Sequence, residues 1–393
     1  MRPATTPVQR PGDARLLAID ADGRLRDLPR TRLVQLLMPG DLLIANDAAT
    51  LPASLAGVHG PSGAPIEVRL AGRPSLDPAD VGRFTAIVFG GGDHRTPTEY
   101  RADPPPLRPG DALRLGPLTA TVRRVFTQRR RIEIAFDARP DAVWAGIAAH
   151  GRPIQYAHIA APLALWDVWT AIAARPVAFE PPSAGFVLDW ALLDSLHRRG
   201  VGFQTLTHAA GLSSTGDATL DTLLPFDEAY ELPDATVAAI AAAKACGRRV
   251  VALGTTVTRA LEHAASLDGI PRAGSGLATQ QLGPKTALRV VDAIVSGTHE
   301  AGTSHYELLR AFADDDVLRR ADRLLAERGY RTHEFGDSVW VERRRGSVQP
   351  RSNLNTATLA SRLGQRRTIA PFWIPNESRI RKPSRRASTS KSA

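Results

Sequence analysis

The chain has 393 residues, 43% of them hydrophobic and 6% aromatic, which suits a soluble globular protein of two or three domains and excludes a fibrous or wholly disordered one. The net charge of +10 is unevenly spread: residues 343 to 393 hold 13 Lys and Arg against one acid, Glu377, so they carry +12 and residues 1 to 342 carry −2. Cys246 is the one cysteine, so no intrachain disulfide is possible; no N-terminal stretch reads as a signal peptide, and the cytoplasm is the expected compartment.

Taken in chain order, RLLAID and LLIAN read as short apolar strands, the second leaving through Asn46 and Asp47. From 57 to 140 the texture changes to IEVRL, FTAIVF, ALRL, TATVRRVF and RIEIAF, punctuated by Gly, Pro and Asp. That spacing predicts an inserted small all-β domain, a barrel or sandwich. The longest apolar region, near 157 to 179, is interrupted by Asp167 and Arg175 and makes a poor membrane span.

From about 150 strands and helices alternate. PVAFEPPSAGF is a strand with a small-residue loop at Ser183, Ala184 and Gly185; Asp189 caps a helix that Gly200 ends. VGFQTLTH and VVAL are further strands, ATVAAIAAAKACG is a helix, and ALRVVDAIVSG fits helix or strand. HYELLRAFADDDVLRRADRLLAERGY reads as helical and SVWVE as a last strand. This order predicts an α/β domain with parallel strands, whose ligands sit outside the strands' carboxyl ends. The basic stretch 343–393 lacks periodicity and is predicted to be a disordered tail; a salt-sensitive attraction to nucleic-acid phosphates is its functional reading.

One junction stands out. In GRRVVALGTTVTRALE a strand runs through Gly254, Thr255 and Thr256 into a helix carrying Arg259. Unpaired N–H groups at a helix start favour an anion, and the hydroxyls and guanidinium add donors. The same residues also describe a capped helix with an exposed arginine.

Several segments together resemble the S-adenosylmethionine:tRNA ribosyltransferase-isomerases of queuosine biosynthesis. RPGDARLLAID, PGDLLIANDAATLPASLAG, PPSAGF, DEAYELP, GRRVVALGTTVTRALE, VVDAIVSGTH and FGDSVWV follow in order, over about residues 10 to 342. The resemblance implies an α/β-barrel-like main domain, residues 1–56 with 141–342, and an inserted β-barrel domain over 57–140. It also implies a reaction: the ribosyl moiety of S-adenosylmethionine passes to 7-aminomethyl-7-deazaguanine in tRNA and is isomerised, releasing adenine and methionine. S-adenosylmethionine and tRNA are then the expected partners of a monomeric enzyme, with no membrane, no metal and no cofactor beyond the donor substrate.

On this reading Asp47, His208 and His299 are the candidates for proton transfer. Asn46, Ser183, Ala184, Gly185, Glu228, Tyr230, Gly254, Thr255, Thr256 and Arg259 are candidates for holding substrate. Ala48, Ala49 and Ser54 stand where the family has threonine and two arginines, and LLPF replaces a His-x-Met-His stretch. A paralogue with another acceptor, or an inactive binding protein, therefore stands beside the enzyme reading at this point.

Overall fold

The computed structural model describes residues 1–345, so the tail expectation lies, beyond Arg345, outside the described residues. Nine strands form one mixed sheet in the order Gly274–Ala278, Glu228–Leu232, Gly202–His208, Leu42–Asn46, Val250–Leu253, Ala293–Gly297, Ser338–Glu342, Arg15–Ile19 and Leu25–Pro29. The α/β-barrel-like main domain takes this form. Four neighbouring strands, from Gly202–His208 to Ala293–Gly297, run parallel, and antiparallel partners flank them on both sides. The ambiguous ALRVVDAIVSG segment supplies the strand Ala293–Gly297. Among the described residues no helix is long and apolar enough to cross a membrane.

The central strand Leu42–Asn46 is buried along its whole length, as expected of a parallel strand covered on both faces. Its side chains alternate between two cores. Leu42 and Ile44 join Val250, Ala252 and Ile294 against Ile240, Val257, Leu261 and Leu325 of three helices. Leu43 and Ala45 join Val251, Leu253 and Val295 against Leu33, Leu36 and Leu196 on the other face. The helix Trp190–Arg198 starts where Asp189 accepts a hydrogen bond from the Leu192 N–H at 2.7 Å, as its sequence predicts.

Six antiparallel strands, from Ser54–His59 to Arg131–Phe136, close into a barrel. Alternate residues fill it: Ile66, Val68 and Leu70 on one strand, Phe84, Ala86 and Val88 on the next. Its wall holds a charge cluster. Glu67 accepts from Arg69 Nε at 2.7 Å, from Arg101 Nη1 at 2.5 Å and from the Ser54 hydroxyl at 2.8 Å. Ala48–Thr50 leaves the main sheet and pairs with Arg175–Ala178 as a separate parallel ribbon.

The helix Thr255–Ala264 is fastened to the chain entering the strand Ala293–Gly297 by one buried carboxylate. Glu262 accepts the N–H groups of Arg289, Val290 and Val291 at 2.7, 3.0 and 2.9 Å. Glu262→Ala is expected to lower stability by about 3 kcal/mol or more, because three N–H groups lose a charged acceptor. A denaturation midpoint unchanged from the parent protein would show that this fastening contributes little.

Candidate active site

The carboxyl ends of the parallel strands face a cavity of about 370 Å³. Its rim is set by Gly254, which adopts φ 105° and ψ 159°, a conformation that strains any residue with a side chain. A Cβ at Gly254 would also stand 3.3 Å from the Ala184 Cβ, so glycine lets the Ser183–Val187 turn close over the junction. In the helix that follows, the Thr258 N–H bonds the Gly254 carbonyl at 3.2 Å, and no side chain caps the helix start. The N–H groups of Thr255, Thr256 and Val257 precede the first helical bond, and Gly254, Thr255 and Thr256 line the cavity. Ser183 and Ala184 line the cavity beside Gly254, while Gly185 packs on Thr170.

Asn46 is buried at the end of the central strand and lines neither this cavity nor its neighbour. Its amide bonds the backbone of His208 in both directions, at 2.9 and 3.0 Å, and donates to Thr256 Oγ1 at 3.3 Å. It therefore holds two strand ends in register and orients a threonine of the rim. Asp47 faces the other way, because successive residues of an extended chain point to opposite sides. Its carboxylate accepts from Thr207 Oγ1 at 2.7 Å and Thr205 Oγ1 at 3.0 Å, and it lines neither cavity. Burial raises its pKa, against the two threonine hydrogen bonds. The expectation of Asp47 as a base in the site thus meets a carboxylate already engaged elsewhere. Tyr230 is a core residue whose hydroxyl meets His263 Nδ1 at 3.1 Å.

Arg259 does line the cavity, yet four of its five N–H groups are taken. They donate to the carbonyls of Gln280, Phe226 and Ala278 at 2.8 to 2.9 Å and to the Glu228 carboxylate. Glu228 also accepts the Gly211 N–H at 2.6 Å. Both residues are buried, so the guanidinium is a structural clasp with little left for an incoming anion. His208 lies wholly inside, its Nε2 3.5 Å from Glu228, and neither ring nitrogen has a hydrogen-bond partner. Burial drives its pKa down to about 4, against the pull of Glu228, so it is a neutral core imidazole at pH 7.

The structure bears on His299, which the sequence analysis raised, and adds Glu180 and His305, which it did not. A second cavity of about 420 Å³ shares Glu180, Ser183, His299 and His305 with the first. Glu180, His299 and His305 are the titratable side chains on both linings. Glu180 accepts the Tyr156 hydroxyl and the Ser213 N–H, and burial pushes its pKa up to about 7 in spite of those bonds. The His299 ring stacks on His305 with centroids 4.4 Å apart. Burial first, then His305 and His333, hold His299 well below the ordinary histidine pKa. Glu180 sits within the PVAFEPPSAGF segment, but only its depth and its tyrosine partner distinguish it, and those are tertiary facts.

Arg259→Ala is expected to lower stability by about 3–5 kcal/mol, because it leaves the buried Glu228 without its cation. A denaturation midpoint within experimental scatter of the parent would refute the clasp. His208 predicts a pH dependence. Between about pH 6.5 and 4 the unfolded chain binds the His208 proton and the folded chain does not. Stability therefore rises with pH across that window, and about 3 kcal/mol is lost on acidification through it. His208→Gln is expected to flatten that part of the stability–pH curve; equal slopes in both proteins would count against a neutral buried His208.

The family model described as Queuosine biosynthesis protein matches residues 2–341. The S-adenosylmethionine:tRNA ribosyltransferase-isomerase of Thermosynechococcus vestitus is 31% identical over 346 residues, covering 86% of this chain and 92% of that one. The protein of the same name from Burkholderia pseudomallei is 34% identical over 349 residues, covering 84% of this chain and 90% of that one. A solved S-adenosylmethionine tRNA ribosyltransferase from Thermotoga maritima aligns with a TM-score of 0.44 at 22% identity, over 86% of this chain and 95% of that chain. The family match takes in the barrel, the large sheet and both cavities, and on it the chain belongs to the queuosine biosynthesis protein family.

Proposed function

We propose that this chain is an S-adenosylmethionine:tRNA ribosyltransferase-isomerase. It transfers the ribosyl moiety of S-adenosylmethionine to 7-aminomethyl-7-deazaguanine in tRNA and isomerises it, so that epoxyqueuosine forms and adenine and methionine leave. The observation that carries the reading is the family match from residue 2 to 341, which includes every element of the cavity at the strand ends. Within that cavity the helix start at Thr255 and Thr256 suits the methionine carboxylate, since its N–H groups lack helical acceptors. The small residues Ser183 and Ala184 let backbone approach a flat purine.

The donor's sulfonium acidifies the neighbouring C5′–H, so a modest base can begin the reaction. Glu180 and His299, which line both cavities, are the proposed proton carriers in place of Asp47. The chain is proposed to act as a monomer in the cytoplasm, where a tRNA substrate is met.

The family's missing arginines do not leave holes. Ser54 bonds Glu67, a carboxylate that Arg69 and Arg101 already serve with positive charge. Ala48 and Ala49 are 1% and 5% exposed, packed in the ribbon beside the main sheet, where an added guanidinium would be buried. These positions therefore give no reason to expect weak turnover.

The test is adenine release from S-adenosylmethionine with and without tRNA bearing the deazaguanine precursor. Release that requires the tRNA, and that falls at least about 100-fold in kcat with Glu180→Gln, is the expected result. Donor binding without release on that tRNA would return the reading of another acceptor. No donor binding at all would favour the inactive binding protein.

A further inference from the structure

The second cavity holds a group of side chains that the proposed reaction does not use. His158 follows the helix Pro140–His150, and Glu334 lies 176 positions further on, in the turn before the last strand. The fold brings His158 Nε2 to 3.0 Å from Glu334 Oε2. The His158 ring also stacks on His333, with centroids 4.3 Å apart and 19° between planes. One nitrogen or oxygen from each of His158, His333 and Glu334 lies within 4.8 Å of the other two. All three line the cavity.

Two ligands each about 2.1 Å from one zinc ion stand roughly 3.0–3.4 Å apart for angles between a right angle and the tetrahedral one. His158 and Glu334 already have that separation. His333 is exposed, and one of its ring nitrogens lies within 4.8 Å of both other donor atoms. Its backbone has φ 70°, the one positive φ outside glycine among the described residues. That conformation, uncommon for a residue with a Cβ, sets the imidazole and the following carboxylate on the same wall. A simple ion pair accounts for His158 with Glu334 but not for a third donor converging from the turn. His299 and His305 add two more imidazoles to the same lining.

We propose that His158, His333 and Glu334 are the protein ligands of a divalent transition-metal site of the zinc type on the wall of the second cavity. Two imidazole nitrogens and one carboxylate suit Zn²⁺ or Co²⁺, whereas Mg²⁺ and Ca²⁺ prefer all-oxygen sets. Three protein ligands leave an open position, and here it faces the cavity. The site departs from the metal-free expectation raised by the sequence, and it stands independently of how the donor binds.

The experiment uses the full chain, stripped with a chelator and titrated with Zn²⁺ alone by calorimetry, then with Co²⁺ followed by visible absorption. The expected result is one equivalent of tightly bound Zn²⁺ and a Co²⁺ d–d spectrum. Affinity is expected to fall at least about 10-fold in His158→Gln and in Glu334→Gln. It should stay unchanged in His197→Asn, which alters an exposed histidine on a distant helix. Circular dichroism and melting confirm that each variant is folded; should His158→Gln fail to fold, Glu334→Gln decides alone. No stoichiometric uptake by the parent protein, or equal affinity in parent and Glu334→Gln, overturns the proposal.

Discussion

The buried ion pair between Arg259 and Glu228 is the constraint around which the site is arranged. Arg259 rises from the first turns of the helix Thr255–Ala264, and its guanidinium reaches the carbonyls of Phe226, Ala278 and Gln280 as well as the carboxylate. Glu228 begins the first antiparallel strand beside the parallel set, and it also holds the Gly211 N–H. One pair of charges thus ties a parallel-sheet helix to two antiparallel edge strands and to the loop after the strand Gly202–His208. Removing two charges from water is costly, and only this many hydrogen bonds offset it. What the clasp provides is placement. The cavity opens between the elements it joins, so its width depends on a contact that no ligand needs to make.

The same clasp explains which parts of the site were legible in the sequence. Gly254, Thr255 and Thr256 were, because a strand, a glycine and a helix start are consecutive in the chain and their geometry is local. The alternating runs between 57 and 140 were also readable, since period-two burial in short strands is a local pattern that leads to a barrel. Arg259 was read as a free cation because nothing near it in sequence reveals that Glu228 and three carbonyls surround it. Asp47 was read as a base because it ends a strand at the correct edge. Which side of that edge a residue faces depends on one step of alternation, and Thr205 and Thr207 capture it on the far side.

Compensation between distant positions was similarly hidden. A serine at 54 looks like a lost charge when only its neighbours are considered. In the folded barrel Arg69 lies two positions from Glu67 on the same strand, hence on the same face, and Arg101 arrives from another segment. The carboxylate keeps two cations although position 54 supplies none. A single sequence lists residue types along a line, whereas the electrostatic account closes over contacts across it. Departures from a family pattern therefore weigh less here than their number suggests.

The two cavities differ in the chemistry of their walls, and Glu180 lies on the boundary. On the first side are backbone N–H groups of a helix start, threonine hydroxyls and small residues, donors suited to an anionic and a planar group. On the other side are His158 and His333, while His299 and His305 line both cavities. Burial depresses His299 and His305, so each presents a lone pair near neutral pH rather than a charge. A carboxyl between these walls with a pKa of about 7 can exist in either form at the same pH, and the Tyr156 hydroxyl donates to it. On the proposed reading, the donor and the metal lie to either side of Glu180, within a frame that the Arg259–Glu228 pair ties together.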